Sequence, residues 1–109
     1  PINSKKDINL SKIFNLISNH IKEDKIITLD AGNHTGWPQR FITYGNHTKQ
    51  LGSTCGCMGY SIPAAISASL QFPEKKVICV VGDGGFMMSG MEIMTAIQYK
   101  LSLIVIIQT

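Results

Sequence analysis

The sequence predicts an α/β fold in which helices flank a parallel sheet. Two apolar runs, at 77–81 and 101–108, enclose a segment with helical periodicity. Unbroken apolar runs without polar alternation are typical of strands that helices bury on both faces of a parallel sheet. We therefore predict that residues 77–108 form a strand–helix–strand unit with a right-handed crossover.

The first third of the chain predicts a helix, a strand and a second, shorter helix. The apolar face of the first helix is formed by Leu10, Ile13, Phe14, Ile17 and Ile21. Asn9 or Ser11 is its predicted cap, and it ends near His20. The β-branched run 25–29 predicts a strand, and 34–42 predicts a short helix.

The rest of the chain contains an irregular region and two predicted helix caps. Residues 43–59 have no countable period and are predicted to be a loop, with a short strand near Gln50. Ser61 is the predicted cap of the helix that follows it. Residues 89–92 fit a capping box for a further helix. The inward face of that helix is predicted to be Ile93, Ala96 and Ile97.

Composition and charge exclude several classes of function. With 109 residues the chain is at most one small domain, and its 44% apolar and 16% charged residues indicate that much of its surface faces protein. The net charge of +3 is spread over scattered lysines, which argues against nucleic-acid binding. The apolar runs are too short to cross a membrane. Three cysteines without disulfide or zinc spacing indicate a reducing, cytoplasmic compartment.

Both ends of the sequence look internal to a longer protein. The chain begins at Pro1 and stops directly after an apolar run, without a turn or a polar tail. We therefore expect residues 1–109 to be a single, partial domain of a longer parent chain.

Two loops have the position and composition of a ligand site. Residues 30–34 and 82–90 each follow a predicted strand, and parallel α/β sheets bind ligands at the carboxyl ends of strands. The glycine-rich tetrapeptide 82–85 lets backbone N–H groups approach phosphate oxygens. Its Asp83 offers the carboxylate oxygen that Mg²⁺ prefers. Taken alone, the tetrapeptide is also compatible with a plain turn.

From Asp30 onwards, four motifs resemble the cofactor-diphosphate domain of thiamine diphosphate (ThDP)-dependent enzymes, especially the acetolactate synthase group. The first motif implies that Gly82, Gly84 and Gly85 line the diphosphate and that Asp83 binds its Mg²⁺. The family completes the metal site with an asparagine at a characteristic distance from this motif. Because 25 residues follow Gly84, we expect that asparagine directly after the last residue.

The second motif is the segment 30–34 with Trp37 close behind it. It resembles the loop that hydrogen-bonds the far phosphate in acetolactate synthase-like enzymes. The resemblance implies that role for Gly32, Asn33 and His34. An ordinary turn at Asn33, with a helix beginning at His34, is the alternative.

The third motif, residues 56–65, resembles the family's segment of glycine, methionine and proline. It implies that Gly56 offers its carbonyl to the aminopyrimidine of the cofactor, that Cys57 lines the site, and that Met58 is the apolar wedge that bends the cofactor. Methionine is equally suited to ordinary core packing. Cys55 and Cys57 depart from the serine, threonine or alanine expected here. A thiol at this place is either redox-sensitive or inert, and we predict that both are inert.

The fourth motif is 86–92. Phe86 and Met88 are predicted to pack beneath the cofactor or to be ordinary core residues. Glu92 is predicted to cap a helix rather than to act as an acid or base.

The resemblance implies a parent enzyme that decarboxylates a 2-oxo acid and joins the product to an acceptor. The activating glutamate belongs to a pyrimidine-binding domain of the same parent chain or of a partner subunit, which predicts a homodimer or homotetramer. Without that domain, residues 1–109 are predicted to be inactive. A pyruvate oxidase, whose parent chain would also bind FAD, is the alternative within the family.

Two further interpretations lie outside the family. A Rossmann-type nucleotide-binding module would need a third glycine where this chain has Met87. A non-catalytic α/β phosphate-binding domain would keep the fold and show no response to ThDP and Mg²⁺.

Overall fold

The computed structural model describes residues 9–21, 24–45 and 47–109. Its helices are α1 (Leu10–His20), α2 (Gly36–Phe41), α3 (Ser61–Gln71), α4 (Asp83–Ser89) and α5 (Ile93–Gln98). Its strands are β1 (Lys25–Leu29), β2 (Thr48–Gly52), β3 (Lys76–Gly82) and β4 (Leu103–Gln108). Short 3₁₀ turns cover Asn33–Thr35 and Gly90–Glu92.

The four strands form one sheet in the order β2-β1-β3-β4, and every neighbouring pair is parallel. This confirms the predicted α/β class. The chain leaves β1 towards one edge to form β2 and then returns to the other side of β1 to form β3. The strand order therefore reverses between β1 and β3, which is where ligands of open parallel sheets bind.

Two apolar cores cover the two faces of the sheet, and β3 contributes to both. Val77, Cys79 and Val81 face the core that contains α3 and Ala96 of α5. Ile78 and Val80 face the core that contains Phe14 of α1. All five side chains are fully buried or nearly so, because successive residues of a strand point to opposite faces. This is why the run 77–81 is apolar throughout.

The N-terminal elements confirm the periodicity in the sequence. Helix α1 covers the predicted range, and the side chain of Asn9 caps it by accepting a hydrogen bond from the Lys12 backbone N–H at 3.2 Å. Strand β1 coincides with the predicted strand and is buried along its whole length. The short helix predicted at 34–42 is a 3₁₀ turn followed by α2.

The segment 82–90 was predicted to be a loop, and that prediction was wrong. Helix α4 begins at Asp83, immediately after the extended Gly82, and includes Gly84 and Gly85. Two glycines in such a short helix disfavour it, since each costs about 1 kcal/mol relative to alanine. The close approach of Asp30, described below, is the reason that glycine is nevertheless required there.

Both serines predicted as helix caps have other partners. The Ser61 hydroxyl is buried against the sheet, where it donates to the carbonyls of Thr28 or Val80 at 3.0 and 3.1 Å. The Ser89 hydroxyl donates to the Gly85 carbonyl one turn earlier in α4, at 3.4 Å. Glu92 accepts from the Thr95 hydroxyl at 3.1 Å instead of closing a capping box.

The edges of the sheet also differ from the prediction. Strand β2 is a short strand at the place expected, around Gln50, but β4 begins at Leu103 rather than at residue 101. Strand β4 is only partly buried, because β3 pairs with one of its edges and no described strand pairs with the other. On α5, Ala96 is buried but Ile97 is exposed, so the predicted inward face holds only in part.

Within the described segments, no helix has both the length and the apolar character needed to cross a membrane.

Candidate functional site

Two cavities lie side by side at the carboxyl ends of the strands. One, of about 480 Å³, is lined by Asp30, Gly32, Ser53 and Gly56 among others. The second, of about 330 Å³, is lined by Leu10, Asn33, Trp37, Gly82, Asp83, Gln108 and Thr109. The loop that follows β1 contributes Gly32 to one cavity and Asn33 to the other. The fold therefore brings the first three predicted motifs to one edge of the sheet.

Asp30 organises this edge, because its carboxylate is buried and holds backbone groups of its own loop and of the segment 59–61. Three N–H groups donate to it: those of Ala31 at 2.9 Å, Gly59 at 3.0 Å and Ser61 at 3.1 Å. The carboxylate thereby fixes the end of β1 against the segment that precedes α3. The sequence signal for this role was an acidic residue directly after a buried strand, and our predicted site did not include Asp30.

Gly85 lies directly against the Asp30 carboxylate. A Cβ on Gly85 would lie 2.9 Å from Oδ1 of Asp30 and 3.1 Å from Cγ2 of Val81. The carboxylate has little freedom to move away, because three backbone donors hold it. Glycine at this position is therefore required by packing inside helix α4, in addition to any role beside the diphosphate.

We expect Gly85→Ala to lower the free energy of unfolding by about 1–3 kcal/mol, the usual cost of overpacking a tight site. Denaturant titration would measure the change. Gly36→Ala is the matched control, because that glycine also lies in a helix and a Cβ added to it would meet no neighbouring heavy atom within 4 Å. Equal unfolding midpoints for the two variants would contradict this account of Gly85.

Met58 connects the third motif to the first. A Cβ on Gly84 would lie 3.1 Å from the ε-methyl of Met58, so the methionine side chain lies over the start of α4. The same side chain is about half exposed, at 48%. An exposed apolar side chain above a glycine is compatible with the predicted wedge and less so with ordinary core filling.

The second cavity offers a carboxylate and an amide that are suited to Mg²⁺ and a phosphate group. Asp83 is exposed, and Asn33 lines the same cavity. One or two carboxylate or carbonyl ligands together with phosphate oxygens are a common way of holding Mg²⁺. Within the described segments no group of three or more His, Cys, Asp or Glu is arranged to bind a metal, so the phosphate would have to supply further ligands. The residues present fit such a shared site.

Gln108 is a second residue that the sequence prediction missed. Its amide nitrogen is buried and has no hydrogen-bond partner among the described residues, and its side chain lines the cavity of Asp83. A polar residue at the carboxyl end of an otherwise apolar strand was the available signal. An unpaired amide donor at this position is suited to a phosphate oxygen.

The charge around the two cavities favours a ligand that is bound together with a cation. The described residues that line them include aspartates but no lysine or arginine. Arg40 lines a neighbouring groove, which shares Asn33 and Trp37 with the second cavity. A diphosphate at Asp83 would therefore meet a negative side chain, and a divalent cation between them would remove the repulsion.

The remaining predicted site residues differ in backbone conformation, exposure and packing. Gly32 and Gly56 have φ values of 145° and 67°, which side chains of other residues rarely tolerate, and both line the first cavity. Cys57 is exposed, and the backbone of His34 lies in the 3₁₀ turn after β1. Phe86 packs against the core beside α3, so a contact with the cofactor stays a prediction for that residue.

A larger cavity, of about 670 Å³, lies between β2 and α3 and has a mainly apolar lining that includes Leu51, Ala68 and Phe72. None of the predicted site residues contributes to it. Its volume alone does not make it the ligand site, because phosphate recognition needs polar donors that converge on one point.

The fold and the site are those of an α/β domain with polar cavities where the strand order reverses, as is typical of domains that bind phosphorylated cofactors. Residues 30–109 match the family model described as "Thiamine pyrophosphate enzyme, C-terminal TPP binding domain". The chain belongs to this family, and it represents the TPP-binding domain of acetolactate synthase-like enzymes.

Individual relatives agree with this assignment. The chain is 37% identical over 102 residues to the acetolactate synthase large subunit of Lactococcus lactis, covering 93% of this chain and 18% of that protein. It is 37% identical over 90 residues to the acetolactate synthase large subunit of Porphyra purpurea, covering 83% of this chain and 15% of that protein. It is also 40% identical over 86 residues to a putative thiamine pyrophosphate-containing protein, YdaP, of Bacillus subtilis. This match covers 78% of this chain and 15% of that protein. The chain thus spans less than a fifth of the length of these relatives.

Proposed function

We propose that this chain supplies the diphosphate and Mg²⁺ anchor of an acetolactate synthase-like enzyme that decarboxylates a 2-oxo acid and joins the product to an acceptor. The proposal rests mainly on one observation: Asn33 and Asp83 line the same cavity, at the carboxyl ends of β1 and β3. The names of the relatives support the choice of reaction.

Each loop has a separate task in this proposal. The Asp83 carboxylate binds Mg²⁺, and the glycines around it leave room for phosphate oxygens near the backbone. Asn33 and Gln108 offer amide groups to the phosphates. Gly56 turns its carbonyl towards the aminopyrimidine, and Met58 supports the bend between the two rings. When bound, ThDP supplies the electron-accepting ring that decarboxylation of a 2-oxo acid requires.

We further propose that the rest of the active site comes from other parts of a longer protein. The small share of the relatives that this chain covers supports this view. A pyrimidine-binding domain, in the same parent chain or in a partner subunit of a homodimer or homotetramer, would provide the activating glutamate. The free cysteines are the basis for proposing a cytoplasmic compartment.

Calorimetric titration of the complete enzyme tests the proposal. We expect ThDP to bind with Mg²⁺ and to bind much more weakly after chelation, because the described cavities offer the diphosphate no basic side chain. Thiamine without its diphosphate is the matched ligand and should bind far more weakly in both conditions. Release of carbon dioxide from pyruvate should require the complete enzyme, and the 109-residue chain should release none. ThDP binding that is unaffected by chelation would contradict the proposed metal anchor.

A further inference from the structure

The segment Cys55–Gly56–Cys57 places two exposed thiols beside each other on the loop that lines the first cavity. The sulfur atoms of Cys55 and Cys57 are 3.0 Å apart. Gly56, between them, has a φ of 67°, and a Cβ added to it would meet no heavy atom within 4 Å, so the turn that brings the thiols together depends on the backbone freedom of glycine. The third cysteine, Cys79, is buried in the core.

The hydroxyl of Ser53 holds this arrangement in place. It accepts hydrogen bonds from the backbone N–H groups of Cys55 at 3.3 Å and Cys57 at 3.2 Å. It also lies 3.2 Å from the Cys55 sulfur. One hydroxyl group therefore holds the backbone of the loop that carries both thiols.

We propose that Cys55 and Cys57 form a reversible thiol–disulfide site, and that closure of the disulfide weakens cofactor binding at Gly56. The effect on cofactor binding rests on the function proposed above, whereas the formation of the disulfide does not. Of the two alternatives that the sequence leaves open for these thiols, the proposal selects the redox-sensitive one in place of the inert one.

The reaction requires a low-molecular-mass disulfide as oxidant. The Cys55 thiolate attacks one sulfur of that disulfide, so that a mixed disulfide forms and one small thiolate leaves. The Cys57 thiol then loses its proton and its sulfur attacks the Cys55 sulfur, which releases the second small thiolate. Two cysteine thiols are thereby oxidised by two electrons, and the small disulfide is reduced to two thiols that take up the two protons.

The order of these steps follows from the surroundings of the thiols. Hydrogen bonds from Ser53 and from Cys57 lower the pKa of Cys55 below its ordinary value. The hydrogen bond to Cys55 raises the pKa of Cys57. Because the thiolate is the nucleophile, Cys55 is the first to attack and Cys57 resolves the mixed disulfide.

The loop that a Cys55–Cys57 disulfide would close is too short for the disulfide to stabilise the fold. A disulfide stabilises a fold mainly through the length of chain that it closes, and here it would span only Gly56. Disulfides that are exposed or strained are readily reduced and are the regulatory kind. Closure would bring the sulfur atoms together by about 1 Å, which changes the backbone on both sides of the Gly56 carbonyl.

The first experiment treats the complete, reduced protein with oxidised glutathione and measures peptide masses after blocking free thiols. We expect the peptide that contains Cys55 and Cys57 to carry no blocking group and to be about 2 Da lighter than its free dithiol form, and dithiothreitol to restore two thiols that can be blocked. Cys57→Ser should instead carry a stable glutathione adduct on Cys55, and Cys55→Ser should react more slowly, on Cys57. Cys79 should stay unmodified throughout. Stable adducts on both cysteines of the wild type, or no reaction at Cys55 in Cys57→Ser, would overturn the proposal.

The second experiment compares the affinity for ThDP with Mg²⁺ before and after oxidation. We expect at least about fivefold weaker binding in the oxidised protein, since displacements of about 1 Å in a positioned site can cost about 100-fold. The double variant Cys55→Ser/Cys57→Ser can form neither the disulfide nor an adduct at these positions, so its affinity should be the same before and after oxidation. Equal affinity of the reduced and oxidised wild type would overturn the link to the cofactor loop. Absence of ThDP binding to the reduced protein would refute the proposed function, while the mass measurement would still decide whether the thiols form a disulfide.

Discussion

Asp83→Asn is expected to reduce the affinity of the complete enzyme for Mg²⁺, and for ThDP in its presence, by at least about 100-fold. Changing a residue that merely supports a metal ligand already costs about 10–100-fold, and Asp83 is proposed to be the ligand itself. The asparagine keeps the shape of the side chain and removes its charge. The fold should be preserved, because Asp83 is exposed and its carboxylate accepts only a local hydrogen bond among the described residues, from the Gly84 N–H at 2.8 Å.

Glu92→Gln is the matched control for Asp83→Asn. Glu92 is another exposed carboxylate, it lies shortly after α4, and its partner is the Thr95 hydroxyl. Calorimetry with Mg²⁺ and ThDP should distinguish the two variants while their unfolding temperatures stay close to that of the wild type. Equal cofactor affinity in Asp83→Asn and Glu92→Gln would remove Asp83 from the proposed metal site.

Asp30→Ala is expected to cause the largest loss of stability, about 3 kcal/mol or more in the free energy of unfolding. The substitution leaves the N–H groups of Gly59 and Ser61 without their acceptor, and each buried donor that loses its partner costs about 1–3 kcal/mol. Because Asp30 also lies against Gly85, the loops on both sides of the cavity should lose their relative positions. Denaturant titration would measure the loss.

Asp24→Ala is the control for this stability prediction. Asp24 is an exposed carboxylate whose partner, Nδ1 of the exposed His47, lies 2.6 Å away. Exposed pairs of this kind contribute at most about 1 kcal/mol. If Asp30→Ala destabilised the protein no more than Asp24→Ala does, the organising role of Asp30 would be wrong.

Local patterns in the sequence were sufficient for most of the secondary structure. The apolar spacing of α1, the β-branched run of β1 and the unbroken apolar run of β3 each contain the signal of their own element. The parallel sheet followed from the same runs, because only strands covered on both faces need to be apolar throughout. The exposed side of β4 was missed, since burial at an edge depends on which neighbours the strand has.

Most residues of the candidate site could be predicted from the sequence, but their arrangement in space could not. The chemistry of the glycines and Asp83 predicted a phosphate and metal loop, and the resemblance to a family joined that loop to Asn33 and Met58. The cavity that Asn33 shares with Asp83 and the contact between Met58 and Gly84 could not be read from spacing. They depend on the strand order, which brings the ends of β1 and β3 together.

The sequence by itself determined the fold class, the positions of most elements and the residue types that we propose hold a diphosphate with Mg²⁺. These features are encoded in short segments, whose periodicity and composition act locally. Only the tertiary structure decided that Asp30 holds two loops, that Gly85 lies in a helix, and that Ser61 bonds to the sheet instead of capping α3. Each of these depends on a group that approaches from a distant part of the chain, and a hydrogen-bonding side chain takes the partner that folding brings to it.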